Sequence, residues 1–121
     1  MGWHVVEVND AGADDPVLGV LPRRVKAFQW HYYVFDLPDG AVQRAASPAA
    51  RQAYRLGDRT WGVQFHPEVE RHMLDAWFVD GAEELPEPLE IVRAKTDEHL
   101  ATWNAHGRAL CGAFLDAARS L

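Results

Sequence analysis

His66 and Glu68 stand two residues apart across Pro67 in the stretch TWGVQFHPEVERHML, residues 60–74. A histidine and a carboxylate so placed can form the base-and-orienter half of a nucleophilic triad. The carboxylate accepts a proton bond from one imidazole nitrogen, and the other nitrogen stays free to deprotonate a nucleophile. If the apolar run 60–65 is a strand, Trp61, Val63 and Phe65 share one face, and Gly62, Gln64 and His66 share the other. Gly62 would then leave room beside the histidine. Pro67 fixes its own φ and biases His66 towards extended backbone, which brings residues 66 and 68 to one side. Metal binding is an alternative, because His66, Glu68 and His72 lie close and Glu68 to His72 has i,i+4 helical spacing. A zinc deaminase also uses His-x-Glu, but it needs a following Pro-Cys-x-x-Cys, which a chain with the single cysteine Cys111 lacks. By spacing alone, a purely structural pair would look the same.

The elements that must position this pair read as strands first and helices last. GWHVVEV (2–8) carries apolar residues on both faces, the pattern of a strand covered on both sides. NDAGADDP (9–16) reads as a polar loop. In AFQWHYYVF (27–35), Phe28, Trp30, Tyr32 and Val34 alternate with Gln29, His31 and Tyr33. DLPDG (36–40) is a turn, AVQRAAS (41–47) a short strand, and 53–65 a hairpin around Gly57 and Asp58. Beyond His66 the period changes. Pro67 suits a first helical turn, and Val69, Met73, Leu74, Trp77 and Phe78 recur at helical spacing until Gly81. Thr96, followed by Asp97 and Glu98, predicts a second helix start. Its apolar stripe is Leu100, Trp103, Leu110, Phe114 and Ala118, with a break expected at Gly107.

Composition excludes several classes. A net charge of −6 argues against non-specific nucleic-acid binding, and the one basic cluster, PRRVK (22–26), is too short for a groove-binding stripe. No apolar run approaches the ~18 residues that would cross a bilayer, and no signal pattern opens the chain. One cysteine excludes an internal disulfide framework and makes a cytoplasmic location the expectation. No phosphate-cradling glycine loop is present, and neither a cofactor nor a metal is expected. At 48% hydrophobic and 25% charged residues, the chain reads as soluble and globular, one layered α/β or α+β domain that looks incomplete.

GVQFHPEV (62–69) resembles the signature that ends the catalytic half of class I glutamine amidotransferases, which hydrolyse the side-chain amide of glutamine and pass the ammonia to a partner reaction. GWHVVEV is similar to the strand that follows the family's nucleophile segment. Residues 27–68 are similar to the whole stretch leading to its histidine and glutamate, and GRALCGAFLDAA (107–118) matches the terminal helix more loosely. Within the family the chain most resembles stand-alone members similar to the glutaminase part of GMP synthase. The resemblance implies the C-terminal part of a flavodoxin-like α/β domain, with a mixed sheet, a hairpin and C-terminal helices. It makes His66 the general base towards a cysteine thiol and Glu68 its orienter. It places Trp30 and His31 on the glutamine-binding side of the pocket, although WHYY departs from the acidic residue more usual shortly after that histidine, and a histidine merely hydrogen-bonded at a sheet edge would look alike.

The family's cysteine sits on a strand-to-helix turn in a G-x-C-x-G-like segment before the GW strand. That segment, its oxyanion donors and the early parallel strands are expected to lie outside residues 1–121, which then form a single partial domain. Cys111, between Leu110 and Phe114 on a predicted helix, reads as an inert core residue rather than a replacement. The chain alone is therefore expected not to hydrolyse glutamine. It would supply histidine and glutamate to a missing half or serve a synthase subunit, and an uncovered apolar face would drive homo-oligomerisation. The alternatives are a γ-glutamyl peptide hydrolase on the same framework and a non-catalytic interaction module or pseudoenzyme. His4, His72, His99 and His106 have no partner legible in the sequence.

Overall fold

The structure, a computed structural model, describes residues 1–120. Five strands form one sheet in the order β2-β1-β3-β4-β5: β1 Gly2–Val8, β2 Arg24–Gln29, β3 Ala41–Ala46, β4 Arg51–Leu56 and β5 Thr60–Val63. Every pairing is antiparallel, so the mixed sheet expected from the sequence is not present among the described residues. The physical reason is local. β3–β4 and β4–β5 are joined by turns too short for the crossover that parallel neighbours need, and the longer stretch 9–23 returns β2 antiparallel beside β1.

β1 is covered diagonally rather than on both whole faces. Trp3 is buried on one face while Glu7 on that face is exposed; Val6 and Val8 are buried on the other while His4 there is exposed. Trp3 is held by a helix, its indole Nε1 donating to Thr96 Oγ1 at 2.9 Å. The loop after β1 contains a short helix, α1 (Asp10–Ala13), where the sequence suggested only loop. Asn9 caps it, accepting from Gly12 N at 2.8 Å. A Cβ on Gly12 would stand 2.2 Å from the Arg44 carbonyl oxygen, so only glycine lets α1 lie on β3.

Two longer helices follow the sheet. α2 spans Arg71–Asp80 and begins after Glu70, so Pro67 is not in its first turn; residues 66–70 form an irregular link. α3 spans Leu89–Arg119 without a break, 31 residues or about 46 Å. The start expected at Thr96 is displaced to the residue after Pro88, and Thr96 lies mid-helix with its hydroxyl donating to the Val92 carbonyl at 2.8 Å. Val92, Thr96, Leu100, Trp103, Gly107 and Leu110 form the buried stripe of α3, spaced three or four residues apart. Gly107 continues the helix because its bare Cα meets the link after β5: a Cβ there would lie 2.3 Å from the Pro67 carbonyl oxygen. The stripe ends before Phe114, which is 44% exposed, and Cys111 is exposed rather than in the core.

Candidate active site

β5 delivers the chain to the site. It ends at Val63, and Phe65 beyond it is buried edge-on to Trp103, with ring centroids 5.5 Å apart. The backbone of His66 is fixed at both ends. Its N–H donates to the Phe28 carbonyl at 3.0 Å, and its carbonyl accepts from Trp103 Nε1 at 2.8 Å. Strand β2 and helix α3 thus clamp one residue between them. Trp103 was legible only as a core residue; its hydrogen bond to the histidine backbone needed the fold.

The imidazole is held at both nitrogens. Nδ1 lies 2.6 Å from Glu68 Oε1, and Nε2 lies 2.9 Å from the Trp30 carbonyl oxygen. The His66–Glu68 contact across Pro67 is therefore present. The expectation that the second nitrogen stands free is corrected, because a backbone carbonyl occupies it. Both partners are acceptors, and the tautomer of the ring decides which nitrogen donates to its partner. Its side chain is 29% exposed, its edge meets Trp77 with centroids 5.4 Å apart, and the Glu68 side chain is 52% exposed.

Gly62 does leave space, but a side chain takes it. A Cβ at Gly62 would fall 2.3 Å from the Tyr54 ring, so the gap belongs to β4 rather than to a ligand. Trp30 reaches the imidazole through its carbonyl, while its ring stacks at 6.2 Å on Phe28 and packs against Trp77 and Phe78. β2 ends at Gln29, so Tyr32, Tyr33 and Val34 do not continue a strand and are exposed.

His31 turns to different partners. Its Nε2 lies 3.0 Å from Gln29 Oε1; Gln29 donates to Gln52 at 2.8 Å, and Gln52 to Ser47 Oγ at 3.1 Å. Gln29 and Gln52 are buried, and this chain of side-chain bonds lines a cavity of about 200 Å³ with His4 and Met1. Partial burial pushes the His31 pKa down; the N-terminal ammonium, His66 and His4 add to this against a backbone hydrogen bond at Tyr33. The structure thus brings Trp30, His66 and Glu68 together and places His31 on a neighbouring amide cluster.

The looser metal reading does not assemble. Glu68 precedes α2, so its helical pairing with His72 is absent, and His72 instead lies 3.5 Å from Glu70 on an exposed surface. Among the described residues no three His, Cys, Asp or Glu side chains group as metal ligands.

The histidine held between a carboxylate and a carbonyl sits on a link between an antiparallel sheet and two helices of an α/β protein. No protein-family model matches the sequence, and the search of curated proteins finds no match. Solved structures do match. A glutamine amidotransferase from Methylobacillus flagellatus is similar with a TM-score of 0.79 and 27% identity, over 97% of this chain and 52% of that one. A glutamine amidotransferase from Thermotoga maritima gives 0.79 and 24% identity, over 94% and 50%. The chain has a class I glutamine amidotransferase-like fold. It spans about half the length of these solved structures.

Proposed function

We propose that this chain is the C-terminal half of a class I glutamine amidotransferase, resembling the stand-alone GMP-synthase-like members. In this reading it contributes His66 as general base and Glu68 as the carboxylate that orients it. The observation that carries the proposal is the 2.6 Å contact between Nδ1 and Glu68, with Nε2 turned to the opposite side of the ring. The nucleophilic cysteine belongs to the half of the fold that these residues do not span. The reading is supported by coverage of about half of each similar structure, and by the exposed position of Cys111 on α3, which has no base bonded to it.

In the assembled site Nε2 exchanges the Trp30 carbonyl for the thiol and takes its proton. The thiolate attacks the amide carbon of glutamine, and the imidazolium gives the proton to the departing ammonia. Water, deprotonated by the same nitrogen, then cleaves the thioester to glutamate. Glu68 stabilises the cationic ring through both steps and holds its tautomer.

The test is glutamine hydrolysis by this chain co-purified with a cysteine-bearing half. The chain alone is expected to be inactive. In the complex, His66→Ala is expected to lower kcat on the order of 10⁴-fold, and Glu68→Gln on the order of 10³-fold. Full activity in His66→Ala would overturn the proposal. Preference for γ-glutamyl peptides over free glutamine would keep the dyad and move the substrate class to peptide hydrolysis.

A further inference from the structure

One cavity lies beside the dyad but takes no part in it. Its volume is about 170 Å³, and its lining is Trp30, Tyr32, Trp77, Asp80, Gly81 and Glu84. Three aromatic rings and two carboxylates make up nearly all of it, and no basic side chain is among them. Asp80 and Glu84 are exposed at the rim, while Trp30 and Trp77 are half-buried with their rings 6.0 Å apart and tilted by 32°.

Three features of this lining favour positive charge independently. The faces of indole and phenol rings attract a cation within about 6 Å of their centroids. The carboxylates of Asp80 and Glu84 add formal negative charge. The cavity also abuts the C-terminal end of α2, where the helix dipole is negative and no basic residue in the last turn offsets it. Asp80 in that last turn opposes the dipole, an arrangement that an added cation would relieve.

The walls are set by the chain itself. Gly81 caps α2, donating to the Trp77 carbonyl at 2.8 Å. A Cβ at this position would lie 2.7 Å from the Trp30 ring, so glycine lets the indole close over the helix end. Tyr32 donates its hydroxyl to Glu84 and is thereby fixed as the third wall. That bond raises the Tyr32 pKa, with desolvation and the Glu84 charge adding to it, so the hydroxyl stays a donor.

We propose that this cavity binds an alkylammonium group, seated against the Trp30 and Trp77 rings and neutralised by Asp80 and Glu84. The site is small enough for the head group of one amine and its first few carbons. It shares Trp77 and Trp30 with the surroundings of His66, so an occupant would sit one ring away from the imidazole. The proposal stands on this lining and does not rest on the glutamine reading.

The experiment is a titration of the ¹⁵N-labelled chain with n-butylammonium chloride at constant ionic strength, following the assigned indole N–H signals of Trp30 and Trp77. 1-Butanol serves as the neutral counterpart. Both signals are expected to shift saturably with butylammonium and not with butanol, while the indole of Trp103 stays still. Glu84→Gln and Asp80→Asn, both at exposed positions, are each expected to weaken binding about two- to fivefold. The double variant should weaken it further. Equal shifts with butanol would reduce the cavity to an apolar cleft. An unchanged dissociation constant in the folded double variant would overturn the proposal.

Discussion

At the scale of the residue, the hydrogen-bond partners of His66 and Asp15 carry most of the specificity. Half of the histidine's environment was legible in the sequence. Glu68 is near in the chain, and the proline between them restricts the alternatives. The Trp30 carbonyl and the Trp103 indole come from 36 and 37 residues away, and no local pattern announces them. Asp15 was not singled out at all, because NDAGADDP looks like solvated loop. Its side chain is fully buried, accepts from the backbone of Val17 at 2.8 Å and Leu18 at 3.0 Å, and meets Arg44 at 3.0 Å and Trp61 Nε1 at 3.0 Å. Burial alone would raise its pKa, but these hydrogen bonds outweigh it and hold the carboxyl below its ordinary value of 3.8. As pH falls, the unfolded chain therefore takes up this proton before the folded one does. The stabilisation is full at neutral pH, begins to fade near the ordinary value, and is gone below the folded one. Asp15→Asn is expected to cost about 3 kcal/mol at pH 7, because it leaves Arg44 and Arg55 without a carboxylate. The gap between wild type and variant should narrow as the pH drops below about 4. Urea unfolding at a series of pH values measures both effects.

At the scale of the element, helix starts were the least legible feature. Thr96-Asp97-Glu98 has the composition of a capped N-terminus, yet it lies within α3, where the Thr96 hydroxyl is used up by Val92 and Trp3. Pro88 sets the true start, since it can precede a helix but not interrupt one. The sequence places strands at 2–8 and 41–47 and a hairpin at 53–65; the structure has them at 2–8, 41–46, 51–56 and 60–63, with the turn at Gly57, whose φ of 63° suits glycine. β2 was over-extended into WHYYVF because alternation persists there after the sheet has ended. Gly107 provides the sharpest test at this scale. Helix propensity alone says that Gly107→Ala should stabilise α3 by about 1 kcal/mol. The contact with Pro67 says the reverse. The expected outcome is a loss of about 2 kcal/mol in thermal or urea unfolding. A displaced His66 imidazole signal should accompany it, because the link that carries the dyad is pushed off the helix.

At the scale of the whole molecule, the uncovered surface is informative. Val17, Trp61, Val63, Leu110, Cys111, Phe114 and Leu115 line an apolar groove of about 420 Å³, and Val63, Phe114 and Leu115 are each at least 40% exposed. Cys111 looked like core in the sequence because it follows Leu110 on the apolar side of α3, but it is exposed in the groove where Trp61 of β5 packs edge-on to Phe114. We propose that this groove drives self-association of the isolated chain. Phe114→Glu is expected to shift the sedimentation coefficient towards the monomer, with a loss of about 1 kcal/mol in stability because the ring packs edge-on to Trp61 at 5.8 Å. An unchanged distribution would place the association elsewhere.

The long helix α3 touches the sheet through Trp3, the histidine through Trp103 and the link through Gly107. A single rod therefore indexes three distant parts of the chain against one another. Loosening its middle turns would release the imidazole before the strands part. Amide protons of His66, Glu68 and Val69 should then exchange with solvent in step with those near Trp103, and ahead of those in β1 and β3.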